Sequence, residues 1–184
     1  MKLFLDRMSS PIGTILLVSD GTSLRALDFA DCENRMQILL RRHYGAYELK
    51  TQVSVTISRL VCAYFEGDLQ ALDKIRVETN GSPFQQRVWV ALRQIPVGTT
   101  VTYGRLASMI GAERASRAVG AANGANPVSL VIPCHRLIGA NARLTGYAGG
   151  LARKAWLLGH EEGAKAELTN MDFGAAFSLK RYDR

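Results

Sequence analysis

The tightest constraint on how this 184-residue chain can fold is a helix start at Ser82-Pro83-Phe84-Gln85. A serine there can accept from the backbone N–H three residues on, and the glutamine at that third position can return the bond. Proline at the first helical position gives up only an N–H that would have had no partner in the helix. Phe84, Val88, Trp89, Leu92 and Ile95 then recur at helical spacing until Pro96-Val97-Gly98 stops the run. This helix divides the chain into two differently patterned halves.

Upstream, strand signals dominate. Residues 3–8 read as a short strand and Ser10-Pro11-Ile12-Gly13 as a turn. Residues 14–19 and 23–29 read as a hairpin turning at Asp20-Gly21. A helix is expected over 33–43, with Met36, Leu39 and Leu40 on one face. Another is expected over 53–66, with Ile57, Leu60, Val61, Tyr64 and Phe65 as its apolar stripe. Gly67-Asp68 ends that helix, and 68–82 is a connector. Nothing in this half carries visible chemistry.

Downstream, helices dominate. Thr102 can cap a short helix over 103–110, which Gly111 stops, and a second runs from near Arg114 to about Asn123. Two helices joined by so short a turn read as a helix-turn-helix. Ser116, Gly120 and Gly124 recur every four positions in the second, with Arg114 and Arg117 near one face. A helix laid close on a partner and a tightly packed core helix with solvated arginines both fit that pattern. Asn126-Pro127 breaks the helix, and the mostly apolar run 128–132 is expected as a strand delivering Pro133-Cys134-His135-Arg136.

Composition narrows the functional classes. Lysine and arginine total 23 against 16 acidic residues, a net charge of +7, which permits a polyanionic partner without singling one out. Three cysteines without a CxxC pair argue against a disulfide framework or a cysteine-rich zinc site, and three scattered histidines against a metal cluster. Free thiols fit a reducing, cytoplasmic compartment. Asp6 and Arg7 interrupt the first apolar run before it reaches signal-peptide length. No stretch reaches the roughly 18 apolar residues of a membrane span, so a soluble protein without a membrane partner is expected.

Cys134 is the candidate nucleophile. A thiol is mostly protonated at neutral pH and needs a nearby base or cation. His135 is adjacent, but neighbours in extended chain point opposite ways, so the dipeptide alone makes no dyad. Thr145-Gly146-Tyr147-Ala148-Gly149-Gly150 is a loop that can approach a ligand closely. The helix after it carries Leu151, Ala155, Trp156, Leu157 and Leu158 and ends at His160-Glu161. Glu161 reads either as the group that orients an imidazole or as a solvated helix-end carboxylate.

Taken together, these residues resemble a known family. The tetrapeptide Pro133-Cys134-His135-Arg136, set in 131–139, closely resembles the active-site motif of the O6-alkylguanine-DNA alkyltransferases. The likeness extends over 82–89, 95–98, 103–107, 117–123, Asn126-Pro127, 146–150, Lys154, 156–158 and His160-Glu161, in the family's order and spacing. Upstream it is looser, mainly through 10–17.

The resemblance implies an α+β (α/β) fold. An N-terminal ribonuclease H-like α/β lobe would cover residues 1–75. A C-terminal, mostly helical lobe with a winged-helix-like helix-turn-helix would cover 80–162. Residues 163–184 have no counterpart in the family, and a flexible tail is expected there. The implied activity is direct reversal of DNA damage: the alkyl group of O6-alkylguanine, and of O4-alkylthymine, moves to Cys134 in one irreversible turnover after the base is flipped out. No cofactor and no metal are implied. The partner is double-stranded DNA bound through the minor groove by a monomer, with cooperativity on DNA left open.

The resemblance also distributes roles. His135, through a water and oriented by Glu161, would help form the thiolate. Tyr103 would donate toward the leaving base and lie near a phosphate. Asn126 would hold the turn before the cysteine. Arg117 would replace the extruded nucleotide, with Ala115, Ser116, Ala118 and Gly120 against the groove and Arg136 also at the DNA. The backbone around Cys134 and Leu137, with Tyr147 and Ala148, would border the base. Two positions depart from the family pattern: Ala148 stands where some members have serine, and Glu162 where glycine is frequent. Alkyltransferase-like lesion binders carry tryptophan in place of the acceptor, and Cys134 argues against that reading.

Overall fold

The computed structural model describes residues 1–163. All but the first residue of the expected tail therefore lies outside the described residues. Strands β1 (Lys2–Met8), β2 (Ile15–Ser19) and β3 (Leu24–Phe29) form an antiparallel meander. The β2–β3 turn is closed by Asp20, whose Oδ1 accepts from the backbone N–H of Thr22 at 2.9 Å and of Ser23 at 2.8 Å. Helix α1 (Glu33–Tyr44) follows, burying Met36, Leu39 and Leu40. The chain then returns as β4 (Glu48–Thr51), parallel to β1, giving the sheet order β3-β2-β1-β4. The sequence reading missed β4. Its four residues are mostly polar and exposed, so its strand character comes from the open edge of β1 rather than from a pattern of its own.

Strand β2 is buried along its whole length because both faces of the sheet are covered. Leu16 and Val18 meet Leu3, Leu5, Met36 and Leu40 on the α1 side. Ile15 and Leu17 face a larger core that also takes in helix α2 (Val55–Phe65) through Ile57, Val61 and Tyr64. That core continues without interruption into the C-terminal half through Val88, Trp89, Leu92, Leu106 and Val119. The start of α2 is held from across the sheet: Asp6 accepts from Ser54 N at 3.0 Å and from Ser58 Oγ at 2.6 Å. The connector winds through a 3-10 turn at Ala71–Lys74 and touches β3 by a Leu24–Val77 bridge.

Helix α3 (Pro83–Arg93) begins as its sequence dictates, with both bonds of the capping box formed between Ser82 and Gln85. The Trp89 indole donates to Ala122 O at 2.9 Å, tying α3 to α5 (Ser116–Gly124). Thr102 caps α4 (Tyr103–Met109) by accepting from Arg105 N at 3.1 Å. A two-stranded parallel ribbon, β5 (Val101–Thr102) with β6 (Leu137–Ile138), and α6 (Leu151–Glu161) complete the described fold.

One expectation is corrected. Residues 128–132 are no strand: apart from a single bridge from Val128 to Leu27, they form a buried turn in which Leu130 takes a left-handed φ of 67°. Burial on all sides gives this run the apolar composition of a core strand. Beyond that bridge, where Ser129 N donates to Leu27 O at 2.9 Å, its backbone bonds are made within the turn and to Asn126.

Candidate active site

Asn126 is fully buried and works as a bracket. Its Nδ2 donates to Ile132 O and its Oδ1 accepts from Val128 N, both at 2.9 Å. Ile132 N donates to Val128 O at 3.0 Å and Cys134 N to Ile132 O at 2.7 Å. The result is a closed turn that presents Cys134 at the head of a short 3-10 helix, Cys134–Arg136. Holding a left-handed leucine costs on the order of 1–2 kcal/mol, and the Asn126 bonds oppose release of that strain.

The next two residues point into the protein. His135 is fully buried, and its Nε2 lies 2.8 Å from Glu161 Oε1. Glu161 Oε1 also accepts from Tyr64 Oη at 3.0 Å and from Arg136 Nη2 at 2.9 Å. Its Oε2 accepts from Arg136 Nε at 2.9 Å and from Gly98 N at 3.3 Å. Burial disfavours the Glu161 charge, yet His135 and Arg136 outweigh it and hold the carboxyl well below the usual carboxylate range. Because the carboxylate stays ionised, the shared proton sits on His135 Nε2. Nδ1 is then a buried acceptor with no protein partner. Burial pushes the imidazolium down against the pull of Glu161, so the ring is neutral at physiological pH.

A cavity of about 270 Å³ opens beside the thiol, lined by Arg35, Tyr103, Gly120, Asn123, Gly124, Cys134, Gly146, Tyr147 and Ala148. Tyr103, the first residue of α4, donates from its hydroxyl to Thr145 O at 3.4 Å. Burial raises its pKa, which keeps the proton on the phenol. A side chain at Gly120 would reach 3.8 Å from the Tyr103 ring, so glycine leaves the cavity mouth open there. Burial pushes the Cys134 thiol up, against a hydrogen bond from Asn126 and the charges of Arg35 and Lys154. Lys154 is itself buried, donating to Leu137 O and, at 2.6 Å, to Thr145 O. Burial brings it down to about 8.

The structure therefore gathers Cys134, His135, Glu161, Asn126, Tyr103, Tyr147 and Ala148 at one place. Two other expectations need correction. Arg136, expected at the DNA, is 6% exposed, with its guanidinium paired to Glu161 and donating to Ile95 O at 2.6 Å. Those buried acceptors hold it away from any phosphate. Leu137, whose backbone was expected to border the base, does not line the cavity, and its carbonyl accepts from Lys154. On α5, Ser116, Arg117 and Ala118 are exposed, while Ala115 and Gly120 are half-buried.

Sequence reasoning assigned no role to Arg35, Tyr64, Asn123 or Lys154. Lys154 had a signal: it lies on the face of α6 that also carries Leu157, Leu158 and Glu161, where a lysine must find buried acceptors. Arg35 had none, since its bonds to Asp28 and to the carbonyls of Gly124 and Asn126 join distant parts of the chain. Among the described residues no cluster of histidine, cysteine and acidic side chains could hold a metal ion.

Comparison with known proteins agrees with this geometry. The family described as 6-O-methylguanine DNA methyltransferase, DNA binding domain, matches residues 83–163. The methylated-DNA–protein-cysteine methyltransferase of Salmonella typhimurium is 46% identical over 166 residues, 88% of this chain and 96% of that protein. That of Mycobacterium bovis is 42% identical over 170 residues, 90% and 96% of the two chains. Mycobacterium tuberculosis OGT, solved in complex with DNA, superposes with a TM-score of 0.74 at 36% identity, covering 90% of this chain and 96% of that one. With a single cysteine set beside a cavity in a mixed α/β fold shared with these proteins, the chain belongs to the methylated-DNA–protein-cysteine methyltransferases, which repair alkylated DNA by transferring the alkyl group directly to a cysteine.

Proposed function

We propose that Cys134 is the alkyl acceptor and that O6-alkylguanine in duplex DNA, with O4-alkylthymine as a second substrate, is the donor. The observation that carries this reading is the position of Cys134 in the wall of the cavity, next in the chain to an imidazole kept neutral by burial and oriented by a buried carboxylate. His135 Nδ1 takes the thiol proton through a water, and the Lys154 charge favours the thiolate left behind. The sulfur attacks the alkyl carbon in line with the bond to O6. The C–S bond forms, the C–O bond breaks, and its electron pair stays on guanine. Tyr103 donates toward the base as that charge arrives. A thioether is a poor leaving group, so each molecule reacts once.

The alkylated oxygen lies inside the stacked duplex, so the nucleotide must be extruded at a cost of a few kcal/mol. Exposed Arg117 fills the gap, and the small side chains of Ala115, Ser116, Ala118 and Gly120 let α5 lie close in the minor groove. Such a surface reads few base edges, so binding is tolerant of sequence and sensitive to salt. The sheet with α1 corresponds to a ribonuclease H-like lobe, and α4–α5 with the β5–β6 ribbon to a winged-helix-like one. The two share a continuous core, and the protein acts as a cytoplasmic monomer. Cys134→Ala is expected to keep affinity for a lesion-containing duplex and to lose transfer completely. Methyl appearing on Cys32 or Cys62 of that variant overturns the assignment.

A further inference from the structure

The cavity wall at residues 146–148, with Gly149 next to it, has no regular structure of its own, so its position depends on what anchors it. Lys154 and Tyr103 fix its near end at Thr145 O. The far end is fixed from the N-terminal sheet. Arg153 Nη1 donates to Gly149 O at 2.9 Å and to Asp31 Oδ2 at 2.8 Å, while its Nε donates to Ile12 O at 2.8 Å. The guanidinium lies 4.2 Å from the centre of the Phe29 ring, within cation–π range. Phe29 meets the edge of Tyr147, with ring centres 6.5 Å apart at 67°. The fit is tight on both sides of this clamp. A side chain on Gly149 would come within 2.6 Å of Phe29, and one on Gly13 within 3.1 Å of Arg153. Cys32 adds a weak bond to Ala148 O at 3.5 Å.

We propose that Arg153 is a positioning residue for alkyl transfer: by clamping the Tyr147-Ala148-Gly149 wall to the end of β3 and the β1–β2 turn, it sets the width of the cavity beside Cys134 and thereby the size of alkyl group accepted. This rests on the reading of that cavity as the base pocket. Arg153 touches neither the thiol nor the cavity; it acts through Gly149 and Phe29. It also gives the N-terminal sheet a part in the reaction. Lysine in its place keeps the charge over Phe29 but lacks the planar fork that serves several acceptors at once. Methionine keeps only the stem.

The test is single-turnover transfer at saturating duplex holding either O6-methylguanine or O6-benzylguanine, for the wild type, Arg153→Lys and Arg153→Met. The active fraction of each protein is set by titration, and the affinity for methylated duplex is measured separately. Displacing a pocket wall by a fraction of an ångström is expected to slow methyl transfer about tenfold in Arg153→Met. Affinity for DNA should stay within about twofold, since no phosphate contact is touched. The benzyl-to-methyl rate ratio should rise, and Arg153→Lys should fall between the other two. Loss of foldedness alone would lower the active fraction, leave the rate constant, and treat both adducts alike. Equal slowing on both adducts, or an unchanged methyl rate in Arg153→Met, overturns the proposal. A wild type that acquires no alkyl group on Cys134 overturns the pocket reading as well.

Discussion

Glu161 shows how much of this site depends on single atoms. Its two oxygens accept from Tyr64, His135, Arg136 and Gly98, so the carboxylate is neither a solvated helix end nor a free base. Its charge serves to fix the proton on His135 Nε2 and to leave Nδ1 as the acceptor. Glu161→Gln keeps the shape but removes that charge and leaves Arg136 without its counter-ion. We expect transfer at saturating DNA to fall about a hundredfold, in the range lost when base catalysis fails, with lesion affinity retained. A transfer rate within about threefold of the wild type would show that thiolate formation does not pass through this pair. The cysteine and its histidine were legible as a dipeptide, and family resemblance supplied Glu161 and Tyr103. Nothing in the sequence announced that Arg136 would turn inward, because its partners Glu161 and Ile95 lie 25 and 41 residues away.

At the scale of elements, local signals were the legible ones. The α3 capping box, the Thr102 cap and the Asp20 hairpin are written within four residues of where they act, and each was expected where it stands. Two of the differences share a physical origin. Strand β4 owes its conformation to the edge of β1, and the false strand at 128–132 owes its apolar residues to burial and its shape to Asn126. Helix α5 is legible in its extent but not in its purpose, since small residues serve close packing and close docking alike. Arg117 separates the two. Arg117→Ala is expected to weaken binding to a methylated duplex about tenfold, to slow repair of duplex, and to reduce the slope of log affinity against log salt by about one. Unchanged repair of duplex DNA would remove Arg117 from the interface.

For the whole molecule, the continuous core ties the site to global stability. His135 is buried and held neutral, with its folded pKa below the unfolded value near 6.5. Its contribution is intact above that value and is lost as pH falls toward the folded pKa, because the unfolded chain then binds the extra proton. Glu161 has the same sign in a lower window: its depressed pKa stabilises above the ordinary carboxylate range, about 4.3, and that stabilisation is lost on further acidification. The melting temperature should therefore fall in two stages as pH drops from 7 toward 3. His135→Gln should remove most of the first stage. A melting temperature flat between pH 7 and 5 would place the neutral buried imidazole in doubt.

The central claim is that one thiol, Cys134, receives the alkyl group once. Intact mass of the wild type after incubation with excess duplex holding a single O6-methylguanine tests it most directly. The prediction is a gain of one methyl in place of hydrogen, mapped by peptide mass to Cys134 and saturating at one per protein. A gain on another residue, continued turnover without a stable adduct, or lesion binding without any gain would contradict it.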